Sequence, residues 1–134
     1  MAAPAPVSLP EVRVMYVESA SGFAGASEAF DRLEAKFPSL RGRKFYGIWE
    51  PPTGPYRACV AIEPGDDPTA LGLPTWTIPG GKYVRLKLAD WEDRVPQIGA
   101  TFGQMRAECD HDASRPSIEF YRSQEELLLF LPVK

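Results

Sequence analysis

The residues best suited to chemistry in this sequence are a carboxylate and a phenol two positions apart, Glu119 and Tyr121. They belong to the alternating run Ser117-Ile118-Glu119-Phe120-Tyr121, which predicts a β-strand that points both side chains to one face. A carboxylate among aromatic rings can bind a flat organic cation, because each ring face attracts a cation by roughly 0.5–2 kcal/mol. The same carboxylate, when desolvated, can act as a general base toward water.

The apolar pattern of the chain occurs twice. A shift of 72 residues aligns the two halves, and the last strand aligns at a shift of 70. Under this alignment Gly47 is the counterpart of Glu119, and Trp49 is the counterpart of Tyr121. Residues 11–63 and residues 72–133 therefore each predict a strand, a helix and two further strands.

Two such units predict an α+β domain. We expect two pseudo-twofold-related βαββ repeats that form a mostly antiparallel sheet, with both helices on one face and a ligand cleft on the other. Residues 11–134 form the predicted single domain, and residues 1–10 form a flexible N-terminal tail. Residues 50–55, rich in proline, predict the first hairpin turn, and residues 64–81 join the halves.

Alternation along the predicted strands assigns each side chain to one face. The predicted helix-facing set is Val12, Val14, Tyr16, Tyr46, Ile48, Val84, Leu86, Leu88, Ile118 and Phe120. The predicted second face carries Arg13, Met15, Phe45, Gly47, Trp49, Tyr83, Arg85, Glu119 and Tyr121. A solvated sheet face would have fewer aromatic residues, so we expect a ligand, a lid or the second subunit of a homodimer to cover it.

The predicted pocket has Glu119 at its centre and a gap opposite it, because Gly47 has no side chain. The predicted ligand-binding residues are Glu119, Trp49, Gly47, Tyr121, Tyr83, Trp76, Phe45 and Met15. In a catalytic interpretation, Glu119 is the base, and Tyr83 or Tyr121 is the proton donor. The alternative is structural: Glu119 pairs with Arg85 or Arg13, and the aromatic residues are core beneath a dimer interface.

Composition excludes several classes of function. The net charge of −3 leaves no basic surface for nucleic acid or anionic lipid. No apolar run approaches the roughly 20 residues of a membrane helix, and the N-terminus lacks the pattern of a signal peptide, so we expect a cytoplasmic protein. With two cysteines and one histidine, we expect no metal, no disulfide and no cofactor. Haem-binding SOUL-type proteins share the doubled layout, but His111 lies in a loop unsuited to axial ligation.

Four short runs resemble the gyrase-inhibitory-protein-like (GyrI-like) family. They are Ile78-Pro79-Gly80-Gly81-Lys82-Tyr83, Ser117-Ile118-Glu119-Phe120-Tyr121, the closing Leu-Phe-Leu-Pro-Val, and Phe45-Tyr46-Gly47-Ile48-Trp49 before a proline turn. These runs occur in the family's order, and the resemblance as a whole covers residues 11–133. The resemblance implies the effector-binding domain of multidrug-sensing regulators, in which the glutamate that matches Glu119 meets the positive charge of the ligand.

The resemblance also implies alternatives. Some stand-alone members hydrolyse electrophilic cyclopropane-bearing natural products with a pocket glutamate and aromatic residues, so a hydrolase is the second expectation. No helix-turn-helix precedes residue 11, so we expect no direct DNA binding. Trp49 stands where the family often has a polar aromatic residue, which leaves Tyr83 and Tyr121 as the expected phenols. Inhibition of a protein partner such as gyrase is suggested by the family name alone.

Overall fold

The strands and helices follow the doubled order predicted from the sequence. The computed structural model describes residues 6–19, 21–49, 55–123 and 125–134, apart from the side chain of Phe23. The strands are β1 (Val7–Leu9), β2 (Val12–Ser19), β3 (Phe45–Trp49), β4 (Tyr56–Ala61), β5 (Thr75–Ile78), β6 (Gly81–Ala89), β7 (Ser117–Tyr121) and β8 (Glu126–Pro132). The helices are α1 (Ala26–Glu34), α2 (Pro68–Leu71) and α3 (Val95–Glu108), with 3₁₀ turns at Gly22–Gly25 and Trp91–Arg94.

The described strands form one curled sheet in the order β1-β6-β8-β7-β3-β4-β2-β5. Each strand pair is antiparallel. The two βαββ units meet where β3 pairs with β7, and there Gly47 lies directly opposite Glu119. Because these residues are also counterparts in the repeat, the pseudo-twofold axis passes between them. The predicted α+β fold of two related units is confirmed.

The two short strands are exchanged between the halves. Val7–Leu9, which we predicted to lie in a loose tail, pair with β6, and β5 pairs with β2. The prediction was wrong for this strand because Val7 and Leu9 pack on the core between the faces of the curled sheet. Residues 1–5 of the tail, and residues 50–54 of the predicted hairpin turn, lie outside the described residues. The β1–β2 and β5–β6 connections touch, since a Cβ on Gly80 would lie 2.9 Å from the carbonyl oxygen of Leu9.

Both long helices pack on the same, outer face of the sheet. The α1 side chains Ala29 and Leu33 pack against Met15, Ala58 and Val60. The α3 side chains pack on β6 and β8 in a cluster of Val84, Leu88, Ile98, Phe102, Met105, Leu127, Leu129, Leu131 and Val133. The inner face holds a third cluster, to which all eight described strands contribute. The sheet therefore curls around one apolar core and carries its helices outside.

The structure corrects the predicted assignment of residues to faces. Sheet pairing relates Gly47 to Glu119, an offset of 72, but it relates Ala58 to Leu129 and then Val17 to Leu86, offsets of 71 and 69. The first strand of the repeat was predicted at an offset of 72 and is found at 69, a difference of three residues. The last strand was predicted at 70 and is found at 71, a difference of one residue. An odd slip moves every side chain of a strand to the other face.

The corrected register changes both predicted sets. Val84, Leu86 and Leu88 face the helices as predicted, whereas the remaining members of that set lie on the inner face: Val12, Val14, Tyr16, Tyr46, Ile48, Ile118 and Phe120. Tyr83 and Arg85 also lie on the inner face, by their pairing with Pro132 and Phe130. Glu119 lies on the outer face with the helices, because it pairs with Leu129 of the α3 cluster. Within the described residues no helix is both long enough and apolar enough to cross a membrane.

Candidate ligand-binding site

Three neighbouring rows of cross-strand partners surround the pseudo-twofold axis on the outer face. The Glu119 row consists of Val17, Ala58, Gly47, Glu119, Leu129 and Leu86. The Tyr121 row consists of Met15, Val60, Phe45, Tyr121, Leu127 and Leu88. The Ser117 row consists of Ser19, Tyr56, Trp49 and Ser117. Polar side chains thus meet near the axis, and apolar ones lie at both ends of the longer rows.

The carboxylate of Glu119 is buried at the centre of these rows. Glu119 as a whole is 1% exposed to solvent. Oε1 accepts hydrogen bonds from the phenols of Tyr56 and Tyr121, each at 2.6 Å. Oε2 is also buried and has no hydrogen-bond partner among the described residues. One oxygen is therefore held by two phenols, and the other remains available to a bound group.

Gly47 allows the carboxylate to sit this close to the neighbouring strands. A Cβ at position 47 would collide with the Tyr56 hydroxyl and with Oε1 of Glu119. The gap that we predicted opposite Glu119 is therefore filled by the carboxylate itself and by Tyr56. Gly47 permits the phenol–carboxylate contact, and it does not leave an open space for a ligand.

The electrostatics follow from burial and the two phenols. Burial raises the pKa of Glu119, while the hydrogen bonds from Tyr121 and Tyr56 act against that rise. Burial also raises the pKa of both phenols well above the usual range, and the adjacent carboxylate adds to the effect. Among the described residues Glu119 forms no salt bridge, so the predicted structural ion pair with Arg85 or Arg13 is not formed.

Aromatic rings from both halves enclose Tyr121. The Phe30 ring of α1 meets the Tyr121 ring edge-on, at 5.1 Å between centroids, and also contacts Tyr56 and Phe45. The Trp91 ring also meets the Tyr121 ring edge-on, at 5.0 Å between centroids. Its indole N–H donates to the carbonyl of Ser123, which fixes the ring. The site is therefore walled by one aromatic residue from each helical segment.

The predicted site residues separate into two groups. Glu119, Gly47 and Tyr121 come together, Phe45 lies beside Tyr121 on the opposite strand, and Trp49 lies opposite Ser117. Met15 is fully buried beneath α1 in the Tyr121 row.

Tyr83 and Trp76 were wrongly placed in the site, because both lie on the inner face. The Tyr83 phenol donates to the carbonyl of Pro79, and Trp76 packs on the guanidinium of Arg57. The second phenol at Glu119 is instead Tyr56.

Sequence reasoning missed Tyr56, Phe30 and Trp91. Tyr56 could have been found from the hairpin, since the strand pairing β3–β4 sets Tyr56 opposite Trp49 and hence next to the glycine. Phe30 and Trp91 carry no such local signal, because they reach Tyr121 through the packing of helical segments on the sheet. Across the described residues no cluster of His, Cys, Asp and Glu could hold a metal ion, and Cys59 and Cys109 are free thiols.

No family model matches this sequence, and no curated protein matches it either. Solved structures do resemble it. An integron cassette protein from the mobile metagenome of Vibrio cholerae superposes with a TM-score of 0.72 and 14% identity over 97% of this chain and 95% of its own.

Two further solved structures are similar over nearly their whole length. A hydrolase from Listeria innocua has a TM-score of 0.59 and 14% identity, over 99% of this chain and 92% of its own. The protein SAV2435, solved bound to tetraphenylphosphonium, has a TM-score of 0.57 and 16% identity, over 97% of this chain and 93% of its own. At these identities the likeness establishes a shared fold.

Proposed function

We propose that this protein is a GyrI-like domain that binds a small, hydrophobic, aromatic cation at Glu119. The observation that carries the proposal is the divided carboxylate, with two phenols on Oε1 and no described partner on Oε2. A buried carboxylate without a positive partner is costly, so a cation that reaches Oε2 supplies the missing charge. Sequestration, sensing or detoxification of such a compound are the roles that this site would serve.

The surroundings of Glu119 favour an aromatic cation over a metal or a hydrophilic amine. The rings of Phe30 and Trp91 each pack against the ring of Tyr121, whose phenol donates to the carboxylate, and together they offer faces and edges to a flat ligand. A protein of the same fold has been solved with tetraphenylphosphonium, which is an aromatic cation without hydrogen-bond donors. A ligand reaches Oε2 only after the site opens, because Glu119 is closed to solvent in this conformation.

A binding experiment tests the role of the charge. Tetraphenylphosphonium and neutral triphenylphosphine oxide are titrated into the protein while tryptophan fluorescence reports occupancy. Loss of a desolvated charge partner costs about 2–5 kcal/mol, so Glu119→Gln is expected to weaken the cation at least tenfold and to leave the neutral compound nearly unchanged.

Glu126→Gln is the control for net charge, because Glu126 is a partly exposed carboxylate that pairs with Lys87 and Arg122. It is expected to leave both affinities as in the wild type. Equal affinity for the cation in the wild type and in Glu119→Gln would make Glu119 a structural residue.

A hydrolase is the second candidate, favoured by the phenols that adjoin the buried carboxylate. Oε2 of Glu119 would take a proton from water while the water oxygen bonds to an electrophilic ring carbon of a cyclopropane. The carbon–carbon bond would break, its electron pair would pass to the conjugated carbonyl, and Tyr121 would protonate the product. A solved protein of this fold is a hydrolase, which supports hydrolysis as the second candidate.

Turnover of cyclopropane electrophiles, followed by mass spectrometry, separates the two candidates. General acid–base catalysis contributes about 10²–10⁴-fold, so Glu119→Gln should reduce turnover by that factor while an uncharged substrate binds almost as before. Tyr121→Phe should reduce turnover in the same direction. A wild-type protein that binds several of these compounds tightly and converts none would leave ligand binding as the function.

A further inference from the structure

A second buried oxygen on the same strand has no partner. Ser117 is 1% exposed, and its Oγ makes no hydrogen bond to any described residue. Leaving a buried hydroxyl unpaired is unfavourable, because the group has lost its hydrogen bonds to water and gained none. Among the described residues, Oγ of Ser117 and Oε2 of Glu119 are the two buried side-chain oxygens in this state.

These two oxygens belong to one site. Ser117 and Glu119 are two residues apart on β7, so their side chains leave the same face of the sheet and their Cα atoms lie about 7 Å apart. Trp49 lies opposite Ser117, just as Gly47 lies opposite Glu119.

A second serine shows that this part of the sheet does not leave hydroxyls unpaired in general. Ser19 occupies the other end of the Ser117 row and is also buried. Its Oγ accepts a hydrogen bond from the backbone N–H of Ser21 at 3.2 Å. The unpaired state is therefore particular to the serine that adjoins Glu119.

We infer that Ser117 is a second polar contact of the ligand bound at Glu119, and that the preferred ligand is an aromatic ammonium ion with a hydroxyl on the neighbouring carbon. This inference rests on the proposed function and extends it from charge to hydrogen bonding. The ammonium N–H donates to Oε2, and the ligand hydroxyl exchanges a hydrogen bond with Oγ, which can both donate and accept. An onium ion without N–H or O–H groups uses only the charge and the rings.

A matched pair of ligands tests the contact. The probes are 2-(naphthalen-2-yl)ethylamine and 2-amino-1-(naphthalen-2-yl)ethanol, which differ by one hydroxyl and are both cationic at pH 7. The wild type is expected to bind the amino alcohol about fivefold more tightly, the effect of one net hydrogen bond. Ser117→Ala should abolish that preference, whereas the control Ser19→Ala should retain it.

Thermal unfolding of the free protein gives a second readout. Ser117→Ala should melt at the same temperature as the wild type or higher, because it removes an unpaired buried hydroxyl, and Ser19→Ala should melt lower, because it removes a paired one. A wild type that binds both amines equally, or a Ser117→Ala variant that keeps the preference, overturns the inference and leaves the Glu119 site intact. A wild type that binds neither amine nor tetraphenylphosphonium overturns the proposed function together with it.

Discussion

Replacing Gly47 with alanine perturbs the centre of the site with one methyl group. The new Cβ collides with the Tyr56 hydroxyl and with Oε1 of Glu119, so the hydrogen bond between them cannot keep its 2.6 Å length. A hydrogen bond to a charged group contributes about 1.5–3 kcal/mol, and overpacking a buried site costs about 1–3 kcal/mol. Alanine regains about 0.5–1 kcal/mol, because a strand glycine loses more backbone entropy on folding.

The expected net effect of Gly47→Ala is a loss of about 1.5–5.5 kcal/mol in the free energy of unfolding. For a chain of 134 residues this corresponds to a fall of about 5–20 °C in melting temperature. Urea denaturation and calorimetry of the variant measure both quantities. Gly99→Ala is the matched control: Gly99 lies within α3 with open space at its Cβ, and alanine there should stabilise the helix by about 1 kcal/mol.

A double variant identifies the group that the methyl displaces. In the wild-type background Tyr56→Phe should be destabilising, because it removes a buried hydrogen bond to Glu119. In the Gly47→Ala background the same change should be neutral or stabilising, because it removes the atom that the methyl meets first. If Gly47→Ala is as stable as the wild type, the carboxylate does not pack against β3, and our description of the site is incorrect.

Three further predictions concern titration and thiol reactivity. Burial raises the pKa of Glu119 above its value in the unfolded chain. Its contribution to stability is therefore complete in acid and is lost as the pH rises through the folded pKa. In urea melts the wild type should lose stability relative to Glu119→Gln from about pH 4.3 upward. The paired guanidinium of Arg43 lowers the pKa of Asp66 to about 2, so its contribution is present above about pH 3.9 and disappears as the pH falls toward 2; Asp66→Asn should remove that acid dependence. A thiol reagent should modify the partly exposed Cys109 in the folded protein and the buried Cys59 only after denaturation, and labelling of Cys59 under native conditions would contradict its burial.

The doubled architecture and the centre of the site were predictable because they depend on the repeat. The pairing of Gly47 with Glu119 followed from the 72-residue offset of β3 and β7, where alternation and the aromatic pattern fix the register. The faces of β2 were not predictable in the same way. Its run Val14-Met15-Tyr16-Val17 is apolar at every position. The hydrophobic pattern therefore aligns β2 with its counterpart β6 equally well at an odd or an even shift, and an odd shift exchanges the two faces of the strand.

Other parts of the site depend on tertiary packing that the sequence pattern does not encode. By sequence Phe30 is one of several apolar residues of α1, but in the structure its ring contacts both Tyr56 and Tyr121. Trp91 precedes α3 in a 3₁₀ turn, where no periodicity indicates which way an indole points. Tyr83, in contrast, has the right residue type but lies in a strand whose register placed it on the inner face.

The position of the pseudo-twofold axis explains why this site requires both halves in one chain. If either half assembled with an identical copy, the residue on the axis would face itself, as Gly47 and Glu119 face each other here. Two glutamates would set like charges about 5 Å apart in a buried environment, and two glycines would offer no charge at all. When the two halves belong to one chain, the two residues at the axis can differ, as Gly47 and Glu119 do. A single ionised carboxylate can then lie at the axis, whereas a symmetric dimer would place either no carboxylate there or a pair that shares a proton.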